Sequence, residues 1–267
     1  MGKGGLTMGL EGKVAIVTGA GRGLGKAAAF ALSEAGADLV IVSRTPRELE
    51  ETAAHIIERG GKVVAMAGDL ARQEDIERAV AATLETFKGI DILMNNAAVV
   101  TPLKQCHEMT LDEWRYALDV DLTAPMLMSR AVVPAMIRQG GGKIINVTSG
   151  LAEIVLSPFG AYSVSKAGLN HLTKLMAWEL KRHNIQVNGL DPGLMDTRMQ
   201  EQIRNAGEEA LGSSVHKRFV EYRDKGMLEP PAALAKLALF LASSASDGVT
   251  GVIGGPAEFV RFGYRFG

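Results

Sequence analysis

The sequence predicts an α/β fold in three layers, a doubly wound sheet that is mostly or wholly parallel. Three observations carry that expectation. Short apolar runs alternate with longer amphipathic stretches along most of the chain. The runs are continuous rather than alternating, as strands covered on both faces require. A glycine cluster follows the first run directly and opens into a helical pattern.

Taken in order, strands are predicted at Val14–Thr18, Leu39–Val42, Val63–Met66, Ile92–Asn95, Ile144–Thr148 and Gln186–Leu190. The helices between them have legible ends. Thr45-Pro46-Arg47-Glu48 supplies an N-cap, a proline at the first helical position and a capping-box glutamate. Thr110-Leu111-Asp112-Glu113 repeats the capping box, and Gly36 and Gly60 stand where helices end in a left-handed residue. With no linker, repeat or low-complexity stretch, residues 10–267 read as one domain behind a flexible leader over 1–9. From Leu194 to about Met227 the strand rhythm stops and two charged amphipathic segments follow Pro192-Gly193. Their place past a strand's C-terminal end fits either a helical lid over a ligand or a surface helical pair.

Composition excludes several classes. The 267 residues are 47% hydrophobic and 22% charged with a formal net charge of −1, which describes a globular protein rather than a disordered one. That balance gives no electrostatic reason to expect nucleic acid or an anionic membrane as partner. No run of about 18 apolar residues suggests a bilayer span. The opening segment lacks an apolar secretory core, and Cys106 stands alone, so a reducing cytoplasm is expected. His55, His107, His171, His183 and His216 show no ligand spacing, and no metal site is expected.

The chemistry is concentrated in a few positions. Thr18-Gly19-Ala20-Gly21-Arg22-Gly23-Leu24-Gly25 joins the first strand to a helix, where glycines permit a tight turn and free N–H groups face a pyrophosphate. Tyr162 and Lys166 are four residues apart and share a helix face. An adjacent ammonium lowers a phenol's pKa of about 10 by roughly 1–3 units, making it an acid/base near neutrality. Ser149, at the end of an apolar run, is placed to hold a carbonyl oxygen beside that phenol, with neighbouring Thr148 an equal candidate on position alone.

These motifs resemble those of the short-chain dehydrogenases/reductases. Thr-Gly-x-x-x-Gly-x-Gly at 18–25, Asn95-Asn96-Ala97-Ala98, Ser149, Tyr162-x-x-x-Lys166 and Asn188…Pro192-Gly193…Thr197 follow the family's order from about residue 14 to 200. The resemblance implies a Rossmann-type domain and a nicotinamide dinucleotide. It places Gly19, Arg22, Gly23, Leu24, Ser43, Arg44, Asp69, Leu70, Asn96, Ala97, Tyr162, Lys166, Pro192, Gly193, Met195 and Thr197 along that cofactor. Asp69 corresponds to the acid that meets the adenine amino group. The second strand ends Val42-Ser43-Arg44, with no acid to take the ribose 2′-OH, and Arg22 adds a second cation nearby. NADP(H) is therefore predicted over NAD(H).

By the same resemblance Tyr162 donates and accepts the substrate proton, Ser149 positions the oxygen, and Lys166 tunes the phenol and holds the nicotinamide ribose. The reaction implied is interconversion of a ketone and a secondary alcohol. Asp121 stands where the family carries an asparagine whose backbone carbonyl holds a relay water. Pro125 lacks the N–H that would engage that carbonyl, so the relay is expected to survive with Asp121 in place. Leu151, Ile154, Val155, Leu156, Phe159, Met195, Met199 and either Trp114 or Phe219 predict an apolar substrate pocket. Two other readings stand. One is reduction of 3-oxoacyl chains on an acyl carrier protein, although the usual docking arginines fall on Gly140 and His183, with Arg138, Lys181 and Arg182 beside them. The other is a nucleotide-sensing regulator without turnover. The family also implies a homo-oligomer, tetramer or dimer, although the segment from Val252 to Phe259 departs from its usual final strand.

Overall fold

Every residue of β1 (Val14–Thr18) is buried, which a strand achieves only inside a sheet covered on both faces. The computed structural model describes residues 8–265. Most of the expected leader, residues 1–7, lies outside the described residues. Around β1 stand β2 (Asp38–Ser43), β3 (Val63–Ala67), β4 (Ile92–Asn95), β5 (Gly142–Val147), β6 (Ile185–Leu190) and β7 (Ile253–Gly254). They form one seven-stranded sheet in the order β3-β2-β1-β4-β5-β6-β7, and every pairing is parallel. All six predicted strands are present; β1 and β4 keep the predicted ends, and no end of the others moves by more than two residues. The order reverses at β1 and β4, which opens a crevice at the strands' C-terminal ends.

Helices α1 (Gly23–Glu34), α2 (Pro46–Glu58) and α3 (Gln73–Phe87) follow the first three strands. They are succeeded by α4 (Leu111–Leu118), α5 (Ala124–Gln139) and α6 (Gly160–Leu180). Alternate residues of one strand feed opposite cores. Ala15 and Val17 pack with Leu24, Ala28 and Leu32 of α1 and with Leu49 and Ile56 of α2. Ile16 packs with Ile76 and Val80 of α3 and with Met128, Val132 and Met136 of α5. Each such large side chain contributes about 1.5–3 kcal/mol by leaving water.

Between α4 and α5 the helix widens into one π turn, Asp119–Thr123, in which the Ala124 N–H bonds the Asp119 carbonyl. Pro125 falls in the first turn of α5, where its missing N–H costs little. The continuous helix Leu111–Gln139 is long and apolar enough by length and composition to cross a bilayer, which the count of unbroken apolar residues did not reveal. Here half of its apolar window is buried, and it packs on α3 and α6. Across the sheet centre, Asn95 donates to Asn146 at 2.9 Å and Asn146 donates to Thr173 at 2.9 Å. This buried chain fixes β4 and β5 against α6 without leaving either amide unpaired.

The 194–227 stretch forms three helices rather than two: α7 (Arg198–Asn205), α8 (Gly207–Leu211) and α9 (Ser213–Asp224). The chain closes through α10 (Pro231–Ala242), which packs on α1, and α11 (Pro256–Phe259). The Thr110–Glu113 capping box forms, but the one expected at Thr45–Glu48 does not. Glu48 is drawn away by arginines, as described below.

Candidate active site

The glycine loop is held from behind. Thr18 Oγ1 donates to the Met94 carbonyl at 3.3 Å and accepts from the Asn96 and Ala97 N–H groups at 2.9 and 3.1 Å. Asn96 Nδ2 donates to the Thr18 carbonyl at 2.8 Å. Two glycines are required sterically. Gly19 has φ +66°, and a Cβ there would lie 2.9 Å from Ala97 Cα. A Cβ on Gly25 would lie 2.4 Å from the Gly19 carbonyl oxygen. The first N–H groups of α1 meet no side-chain cap and no acid in the first turn, so they are free to bind an anion. These features fit a dinucleotide pyrophosphate.

One cleft is lined by Gly19, Arg22, Gly23, Leu24, Ser43, Arg44, Asp69, Leu70, Asn96, Ala97, Tyr162, Lys166, Pro192, Met195 and Thr197. Gly193 and Ser149 lie instead in the wall of an adjoining cavity. The 194–227 segment reaches the loop, since a Cβ on Gly23 would stand 3.5 Å from Thr197 Cγ2. At the far end Arg44 donates to the Tyr116 hydroxyl, which donates onward to Asp69 at 3.4 Å. Arg22 donates to Glu48 at 3.1 Å, and so does Arg198 at 3.2 Å. The sequence gives no site signal for Tyr116 or Glu48, and it offers Arg198, with Arg204 and Arg218, only as a group that could steer a substrate acid. Glu48 carries only a capping signal, and helical arginines among glutamates are usually a solvated face.

At the inner end, α6 presents Tyr162 and Lys166 from successive turns. Lys166 Nζ donates to the Val147 carbonyl at 2.9 Å and stands 5.6 Å from the centre of the Tyr162 ring. The expected depression of the phenol pKa is absent. Burial pushes Tyr162 strongly upward and the Asp121 carboxylate adds to it, against an opposing hydrogen bond from Ser149. Lys166 is itself 2% exposed, and burial lowers its pKa while Asp121 supports its charge. Desolvation therefore governs the phenol here. Thr148 is buried and directs its hydroxyl to Asn170, which leaves Ser149 as the hydroxyl that reaches the phenol.

Asp121 does not line the cleft. It is fully buried behind it, with Oδ1 accepting from the Val99 N–H at 2.8 Å and Oδ2 without a hydrogen-bond partner. Burial raises its pKa from 3.8 to about 6, against the attraction of Lys166. A carboxyl raised in the folded state binds protons that the unfolded chain has released, so its stabilising contribution is lost as pH climbs through about 6. Asp121→Asn removes that dependence. Its melting temperature relative to wild type is expected to rise between about pH 5 and pH 8 by about 2–5 °C, from a change of about 1–2 kcal/mol. Parallel melting curves for the two proteins across that window would refute a titrating Asp121.

The residues expected to form an apolar substrate pocket mostly pack on one another. Phe159 and Phe219 stack at 5.6 Å and join Val100, Ile203 and Leu211 in a buried cluster under α7–α9. Leu151, Leu156 and Met199 lie against it, Trp114 joins a separate cluster with Ala117 and Val120, and Val155 is 98% exposed. Beside Ser149 opens a cavity of about 580 Å³ whose walls include Glu153, Asp191, Glu229 and Glu258. Asp191 accepts from the Gly193 N–H at 3.0 Å, and burial raises its pKa. The open space next to the serine is thus more acidic than the sequence suggested.

A parallel sheet with a glycine loop at its switch point, a Tyr–Lys pair at the end of the same cleft and a serine in the cavity beside it defines a dinucleotide-dependent oxidoreductase. Residues 13–208 match the short chain dehydrogenase family model, and the chain belongs to that family. Its enzymes use a nicotinamide cofactor on small molecules bearing CH–OH groups. A 2-dehydro-3-deoxy-D-gluconate 5-dehydrogenase from Formosa agariphila is 35% identical over 245 residues, 91% of this chain and 90% of that protein. A chain from Beutenbergia cavernae solved with NADP at low occupancy has a TM-score of 0.83 at 31% identity, covering 93% of this chain and 96% of its own. A 7α-hydroxysteroid dehydrogenase solved with NADH and 7-oxo glycochenodeoxycholic acid has a TM-score of 0.84 at 30% identity, covering 93% and 94%.

Proposed function

We propose that the protein is an NADP(H)-dependent oxidoreductase that interconverts a ketone and a secondary alcohol, with Tyr162 as the acid/base. Tyr162 and Lys166 at the inner end of the dinucleotide cleft, with Ser149 in the wall of the adjoining cavity, carry this reading. When bound, the nicotinamide ring supplies or accepts the hydride. Ser149 holds the substrate oxygen, and Tyr162 gives that oxygen its proton. A phenol raised by burial is protonated at neutral pH, the form that serves reduction. Lys166 donates to the Val147 carbonyl beside the Tyr162 ring; burial disfavours its charge and the Asp121 carboxylate opposes that shift.

Preference for the phosphorylated cofactor rests on Ser43-Arg44 ending β2 and on Arg22 in the loop. The two solved relatives bound different dinucleotides, so fold alone does not decide the choice. The acid-walled cavity beside Ser149 favours a substrate with hydroxyl groups over one with a long alkyl chain, in the direction of the sugar-acid relative. The deciding experiment follows NADPH and NADH absorbance across keto-sugars, cyclic ketones, diketones and acetoacetyl thioesters. Oxidation of NADPH by at least one class, with higher kcat/KM than NADH, is the expected result. Binding of NADPH without turnover on every carbonyl would leave a nucleotide-sensing role instead.

A further inference from the structure

Glu48, in the first turn of α2, joins three separate parts of the fold. Arg22 of the glycine loop donates to its two oxygens at 3.1 and 3.4 Å. Arg198, which begins α7, donates to the same Oε1 at 3.2 Å. All three side chains line the dinucleotide cleft. The carboxylate also sits close to the end of β2. A Cβ built on Gly21 would meet Glu48 Cβ at 3.0 Å, Ser43 Oγ at 3.1 Å and Glu48 Oε2 at 3.2 Å. The end of that strand is where a dinucleotide fold reads the 2′ substituent of the adenosine ribose.

Two guanidinium groups therefore share one carboxylate oxygen beside the end of β2. A carboxylate carries one charge and cannot serve two forked donors fully. A phosphate carries nearly two charges and three acceptor oxygens, so it matches a pair of arginines better. We propose that Arg198, contributed by the 194–227 segment, is a specificity-determining residue that binds the 2′-phosphate of NADP(H). Glu48 is the internal counter-ion that the phosphate displaces. The inference rests on the NADP(H) reading above. Displacement needs only side-chain rotation, because Glu48 lies in the first turn of α2 with 22% of its side chain already exposed. It also makes the position of α7 respond to the cofactor, since Arg198 bridges to the loop through Glu48 or through the phosphate.

The test is titration of the purified full-length chain with NADPH and with NADH, by calorimetry, for wild type, Arg198→Ala, Arg198→Lys and Glu48→Gln. Each variant's fold is checked by circular dichroism. Arg198→Ala is expected to weaken NADPH about tenfold or more, as loss of a charged hydrogen bond does, and to leave NADH within about twofold. Arg198→Lys should restore part of the loss. Glu48→Gln should tighten NADPH several-fold, because the phosphate no longer competes with a charge, while NADH stays within about twofold. Equal loss of both dinucleotides in Arg198→Ala would overturn the proposal in favour of a general clamp on the pyrophosphate. Weaker NADH binding in Glu48→Gln would overturn it by showing that the carboxylate holds ribose hydroxyls. A wild type that binds NADH as tightly as NADPH defeats the cofactor reading itself, which the variants' selectivity does not.

Discussion

Tyr162→Phe is expected to lower kcat for carbonyl reduction by about 10²- to 10⁴-fold, the usual contribution of a positioned general acid. The substitution deletes one hydroxyl and keeps the ring, which packs with Val100, Phe159 and Ile203 in a buried cluster. Lys166 keeps its bond to the Val147 carbonyl, so NADPH affinity should change no more than a few-fold. The melting temperature should hold or rise slightly, because a buried phenol whose charged form is strongly disfavoured contributes little to folding. Single-turnover kinetics with saturating NADPH separate these effects, since binding and chemistry are read independently. Retention of more than about a tenth of wild-type turnover would mean that another group, Ser149 first, delivers the proton.

Gly25→Ala is expected to be nearly as damaging and by a different route. One methyl group at this position would stand 2.4 Å from the Gly19 carbonyl oxygen and 2.4 Å from Asn96 Nδ2. The oxygen belongs to the backbone, so no rotamer relieves the contact. Either α1 lifts from β1, disturbing Ala28 and Leu32 in the core beneath, or the glycine loop moves out of its turn. Overpacking of this kind costs about 1–3 kcal/mol. Because the strained atoms form the anion-binding turn, NADPH affinity should fall at least tenfold in protein that remains folded. Urea denaturation read alongside NADPH titration gives both numbers. Unchanged dinucleotide affinity would show that the turn relaxes without cost.

Much of this was legible in the chain, for reasons that differ by element. The strands were readable because parallel strands buried on both faces leave continuous apolar runs, and Val14–Thr18 is the clearest instance. The site residues were readable because their chemistry depends on fixed spacings along single elements: four residues from Tyr162 to Lys166, seven from Thr18 to Gly25. What escaped depends on contacts between distant segments. Glu48 and Arg198 are 150 positions apart and meet only when the sheet is folded. Tyr116 reaches Arg44 across the cleft from a helix whose pattern reads as ordinary amphipathic surface. The phenol pKa was misjudged for a related reason. Sequence shows that a lysine is adjacent, whereas the depth of burial that overrides it comes from the assembled walls. The residues read as an apolar substrate pocket gather around Tyr162, but Phe159 and Phe219 pack on each other there, a long-range contact that sequence does not show.

The π turn at Asp119–Thr123 has a consequence for how this chain tolerates insertion and deletion. A π turn accommodates one more residue than the α-helix it interrupts, so the two flanking helices are out of phase by about 100°, the rotation of a single residue. That offset lets Ala117 face one core cluster while Met128, Val132 and Met136 face another. Deleting any single residue between 119 and 123 would straighten the helix and swing one of those stripes toward solvent. It would also withdraw Asp121 from Val99. Length in this segment is therefore constrained by the packing of the two helices, independent of which side chains occupy it.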